Sequence, residues 1–204
     1  MTMIHVRSDR RLTPAVARRG VEVLRLAEAM GLARPASGRL GYGQIAEVAD
    51  QVAEQGIGTA SAATLTSDAH LSMTDIRRAL DSLLDAMKES PLPRSELRSL
   101  GDLLGRDRLA TLVGTSEPSL RRYLAGSRSV PDEIAQRAHS LAIVVSYLRG
   151  GYNPLGVRRW FERPRTQLDG SAPQELLSGG WDPDDPGPRR VQALARSLIG
   201  SPAT

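Results

Sequence analysis

Apolar residues recur at helical spacing along most of this chain, with few stretches alternating in the way a half-buried strand requires. In TPAVARRGVEVLRLAEAMG, Val16, Val23, Leu24 and Ala27 share one face of a first predicted helix. Thr13 is its cap, Pro14 its first helical position and Gly31 its stop. A second helix is predicted from Tyr42 to Gln55, and a third from about Thr74 to Lys88. The third carries a stripe of Ile76, Leu80, Leu83, Leu84 and Met87. Between them GIGTASAATLTSDAH is small and polar and reads as a loop. SPLPRS, Ser90 to Ser95, interrupts the pattern with two prolines and marks a domain boundary.

Beyond that boundary the pattern shortens. DRLATLVG places Leu109, Leu112 and Val113 on an inner face and ends at Gly114, where a left-handed backbone costs glycine least. Thr115 or Ser116 caps the next helix, EPSLRRYLAG, which buries Leu120, Tyr123 and Leu124 and stops at Gly126. Its outer face then carries Glu117, Ser119, Arg121 and Arg122, and Arg128 follows in SRSVP. Val130 and Pro131 open a long helix with Ile134, Ala138, Leu141, Ala142, Val145 and Leu148 on its apolar side. Two short helices joined by a tight turn, the second polar at its start, form the helix-turn-helix pattern. Such a second helix enters the major groove of double-stranded DNA, its first residues meeting base edges and its arginines bases or phosphates. The candidate DNA-contacting residues are therefore Ser116, Glu117, Ser119, Arg121, Arg122 and Arg128. The competing reading is an ordinary helical hairpin that happens to be basic.

In the remaining stretch a helix is predicted from Pro154 to Phe161, with Trp160 and Phe161 at its end as either the anchor of a small core or part of an exposed contact, core being favoured for at least one of them. Asp169 and Gly170 make a turn, Ser171 caps a short helix APQELL, and an acidic loop WDPDDPGP precedes a last helix with Val191, Leu194, Ala195 and Leu198 on one side. The fold class is all-α, in four parts. Residues 1–12 form a flexible basic arm and 13–93 an N-terminal helical region of unknown role. Residues 94–150 hold the helix-turn-helix, and 151–204 a small C-terminal helical domain.

Charge sharpens this picture. Residues 94–165 hold 13 arginines against seven acidic residues, while the rest of the chain carries 14 basic and 16 acidic ones. Concentrated positive charge points to a polyanion as partner, against the plainer alternative of a solvated basic face. The absence of cysteine excludes disulfides and thiolate metal sites. His5, His70 and His139 are isolated, His139 reads as a surface or partly buried residue in preference to a base, and no nucleotide-binding or zinc-protease motif occurs. The expectation is a non-enzyme with no catalytic residue, metal or cofactor. No apolar run reaches membrane-spanning length and the first residues lack a signal-peptide core, so a cytoplasmic, nucleoid-associated protein is expected.

The spacing Leu–Ala–x–x–x–Gly–x–Ser–x–x–Ser–Leu–x–x–Tyr–Leu–x–Gly, from Leu109 to Gly126, resembles the Xre-type helix-turn-helix of bacterial repressors. The later block is Trp160–Phe161, Pro164, Leu168, then Gly170–x–x–Pro173–x–x–Leu176–Leu177–x–x–Gly180 and Arg189–Arg190–Val191. It is similar to the toxin-binding domain of the Xre/MbcA/ParS antitoxin family. The two blocks cover about residues 95–200 in the family's order. This resemblance implies a transcriptional repressor that neutralises a RES-domain toxin and autoregulates its promoter. Trp160, Leu168, Gly170, Pro173, Leu176 and Leu177 would match the partner-binding signature. Residues 1–93 have no counterpart in short antitoxins, and the Gly179–Pro188 loop is longer and more acidic than the family's turn. The alternative is a stand-alone DNA-binding regulator with no toxin partner. Because one helix-turn-helix reads few base pairs, a homodimer or higher homo-oligomer on an inverted repeat is expected, with the N-terminal helices as its contact.

Overall fold

The computed structural model describes residues 11–34, 41–67 and 70–200. The basic arm expected over residues 1–12 therefore lies, except for its last two positions, outside the described residues. Everything described is helix, turn or loop, with no strand among the described residues. No helix among them is long and apolar enough to cross a membrane. The chain divides into two compact units, one of residues up to 27 with 32–90, the other of residues 28–31 with 91–204.

In the first unit, α1 (Pro14–Ala29) begins as its sequence dictates. The Thr13 hydroxyl accepts a long bond from the Val16 N–H (3.5 Å), and Gly31 takes a left-handed φ of 75°. Helix α2 (Tyr42–Ala53) buries Ile45, Ala46, Ala49 and Val52, and its Tyr42 hydroxyl donates to the Leu65 carbonyl at 2.7 Å. The stretch expected to be a loop contains α3 (Thr59–Thr66), packed between α2 and α4 (Met73–Lys88). Nothing in TASAATLT forms an amphipathic stripe; Ala62 and Leu65 alone are buried. The helix stands because alanine is intrinsically helix-forming and its neighbours supply the packing. Gly58, φ 57°, makes the entry, and a Cβ there would press on the Leu83 side chain. Helix α4 is capped by Ser72, whose hydroxyl accepts from the Asp75 N–H at 3.1 Å. Across this unit Arg19 pairs with Asp81 at 2.5 Å and with Glu22 at 2.6 Å. Burial lowers the pKa of that guanidinium, but the two carboxylates outweigh it and hold the pKa above its ordinary value.

The second unit opens inside the predicted breaker. Pro93 is the first residue of α5 (Pro93–Leu104), where a missing N–H costs nothing, and Leu97, Leu100 and Leu104 enter the core. Next come α6 (Arg106–Val113), α7 (Glu117–Ala125) and the long α8 (Asp132–Leu148). Helix α8 is buried on nearly every side, Ile143, Val144 and His139 included, and packs on α5 and α6. Helix α9 (Pro154–Glu162) delivers Trp160 and Phe161, both buried, with their rings edge to face at 5.3 Å. A single 3-10 turn (Thr166–Leu168) leads to the short α10 (Pro173–Leu176). Helix α11 (Pro186–Ser197) packs back against α8. Residues 94–150 and 151–204, separated on sequence, share this one compact unit.

Two local expectations change. Ser171 is not the cap of α10: Ala172 holds that position, and its N–H donates to Glu175 Oε2 at 3.0 Å. His139, expected at the surface or partly buried, lies deeper than that. It is buried on α8 with its Nδ1 2.6 Å from Glu96 Oε1 on α5, and that glutamate is wholly buried. The second change has a physical cause: α8 has core on sides that a single apolar stripe would leave to solvent.

Candidate nucleic-acid interface

Helices α6 and α7 are joined by three residues, Gly114 to Ser116. Gly114 adopts φ 71°, and a Cβ there would run into the Gly179 carbonyl and the Arg137 guanidinium, so two constraints hold glycine at this turn. Of the two candidate caps, Ser116 is the one used. Its hydroxyl accepts from the Ser119 N–H at 3.3 Å and lies 3.0 Å from the Ser119 hydroxyl. Gly126 ends α7 at φ 74°.

Leu120 and Tyr123 fix α7 to the unit. Burying two such side chains contributes about 1.5–3 kcal/mol each, enough to set the rotation of a nine-residue helix. Leu124, expected to join them, is only half-buried. With that rotation set, Ser116, Glu117, Arg121 and Arg122 are exposed and Ser119 is half-buried. Arg122 donates to the Ser119 hydroxyl at 3.3 Å, which holds its guanidinium toward the start of the helix. Arg128 lies over the Tyr123 ring, 5.7 Å from its centre, and remains exposed. All six residues singled out from the sequence thus belong to one helix, its cap and the loop after it.

The turn is held from behind by residues that the sequence pattern did not single out. Arg137 on α8 donates through Nη1 to the Val113 carbonyl at 3.2 Å and through Nε to the Trp181 carbonyl at 2.5 Å. The buried Trp181 indole donates to the Leu112 carbonyl at 2.7 Å. The last carbonyls of a helix have no partner within it; here the 179–181 loop and α8 supply them. A tryptophan between glycines and an acidic run carries no periodic signal, so nothing in the sequence marked this contact.

The six positions of the later block are placed differently. Trp160, Leu168, Pro173 and Leu177 are buried inside the unit, Leu176 is half-buried and Gly170 is exposed at φ 83°. Arg165 covers the Trp160 ring at 5.5 Å. As folded, this block presents mainly Gly170 and part of Leu176 to a second molecule.

No protein-family model, no curated protein and no solved structure matches this chain.

Proposed function

We propose that the protein is a sequence-specific DNA-binding transcriptional repressor, with α7 as the helix that enters the major groove. One observation supports this reading: a capped helix, its rotation set by Leu120 and Tyr123, that turns Glu117, Arg121 and Arg122 outward beside the small Pro118 and Ala125, presented at the end of a three-residue turn. Nine residues make a rod of about 13 Å, comparable with the groove's width. The excess of arginine over residues 94–165 supplies the sequence-independent part of such binding. The protein works as a homodimer or higher homo-oligomer on an inverted repeat, in the cytoplasm and at the nucleoid. Its resemblance to Xre/MbcA/ParS antitoxins extends the proposal to a RES-domain toxin, neutralised through the 151–204 region, and to repression of its own promoter. No enzymatic step is assigned.

A second reading, a stand-alone regulator without a toxin, is favoured by the burial of Trp160, Leu168, Pro173 and Leu177. These side chains already have a use in the core. Selection of bound fragments from sheared genomic DNA by the full chain tests the proposal. A single enriched inverted repeat, with half-sites about one helical turn or a multiple apart, is the expected result. Enrichment no better than that of a scrambled pool would sink it.

A further inference from the structure

A cleft of about 530 Å³ runs beside α7, between α5 and the start of α6. Three arginines from three helices converge on it: Arg98 from α5, Arg106 from α6 and Arg121 from α7. One carboxylate, Asp102, shares the lining. Several arginines of this unit are engaged, Arg108 by Glu162, Arg137 by two carbonyls and Arg158 by the Leu103 carbonyl, while others such as Arg159, Arg163 and Arg196 stand singly at the surface. Among the described residues Arg98, Arg106 and Arg121 have no hydrogen-bond or ion-pair partner. Asp102 stands one helical turn from Arg98 and pairs with neither it nor Arg106. Three free guanidinium groups around one acid repel one another and leave their planar donor forks unused. A phosphate group answers both conditions, because the fork binds two of its oxygens at once and its charge relieves the repulsion.

We propose that this cleft binds phosphate groups, with Arg98, Arg106 and Arg121 as its ligands. The backbone of bound DNA is the source if the proposed function holds, and the assignment rests on that reading only for its source. It also separates two neighbours on α7. Arg121 turns into the cleft beside Leu124 and Ala125 and grips phosphate. Arg122, held to Ser119 near the start of the helix, is left to read bases.

The full chain, as wild type and as the Arg98→Gln/Arg106→Gln double variant, is titrated with a scrambled duplex at several salt concentrations. In a second arm, wild type is titrated with inorganic pyrophosphate while the arginine side-chain Nε–H signals are followed by NMR. Both arginines are exposed, so the variant is expected to melt with wild type. Weaker binding of the scrambled duplex by the variant, with a salt slope shallower by about two units, supports the cleft with backbone phosphate as its source. No duplex binding by wild type, but movement of the Arg98 and Arg106 signals by pyrophosphate, supports the cleft with a free phosphate as its source and removes the DNA reading. Unchanged duplex affinity and slope in the variant, with signals unmoved by pyrophosphate, overturns the cleft and leaves the DNA reading standing. If neither duplex nor pyrophosphate binds, both fall.

Discussion

The Trp181 indole N–H donates to the carbonyl of Leu112 at 2.7 Å, across 69 residues of chain. The end of α6, and so the turn that aims α7, is held by the loop between α10 and α11. Trp181→Phe keeps a ring in place but leaves that carbonyl without its donor. A loss of about 1–3 kcal/mol is expected, the usual cost of an unsatisfied buried group. Urea unfolding checks it: the midpoint falls while the slope stays constant. An unchanged midpoint would mean that the bond does not hold the turn.

Trp160 is 1% exposed and packed edge to face against Phe161. Trp160→Ala is expected to cost about 3–5 kcal/mol, and the loss appears with no partner present. If melting is unchanged while capture of a protein partner disappears, Trp160 acts at an interface instead of in the core.

Glu96 and His139 form a buried pair that joins α5 to α8. Its second carboxyl oxygen, Oε2, already lacks a hydrogen-bond partner. His139→Ala strands the other oxygen as well, and a loss of about 1–3 kcal/mol or more is expected. His139→Gln, able to donate again, should recover part of it. Equal melting of all three proteins contradicts this account of the pair.

The sequence exposed most of what depends on local chemistry. Thr13, Ser116, Gly31, Gly114 and Gly126 act where caps and stops are read directly from residue type, and the inner faces of α4 and α6 follow from apolar spacing. What stayed hidden depends on neighbours distant in the chain. Helix α3 has no stripe to read, because alanines and packing make it. Helix α5 starts at Pro93, a residue equally at home in a breaker and at a first helical position. His139 lies deeper than the surface or partly buried place its sequence suggests, because a stripe of six apolar residues describes one side of α8 whereas α5 and α11 cover others. The outward positions of α7 were legible as soon as Leu120 and Tyr123 were assigned inward. The ties from Arg137 and Trp181 to the turn had no local signature.

Asp75 at the start of α4 has a pKa below its usual range, chiefly because the Ser72 hydroxyl donates to it at 2.6 Å. A carboxyl with a depressed folded pKa stabilises the fold above its unfolded pKa, and that contribution is lost as pH falls through the folded value. Ser72→Ala is expected to raise the Asp75 midpoint toward that of a free aspartate, followed by the side-chain carboxyl carbon signal against pH. An unmoved midpoint would remove the hydroxyl as the cause.

The central claim is that the outer face of α7 reads DNA sequence. Titration of wild type and Arg122→Ala with the selected duplex and with a scrambled one tests it most directly. Wild type is expected to prefer the selected duplex. The variant is expected to lose about 1–3 kcal/mol on that duplex and little on the scrambled one, with relaxed preference at one base pair. Wild-type affinity that is equal for the two duplexes, and untouched by the substitution, would contradict the account.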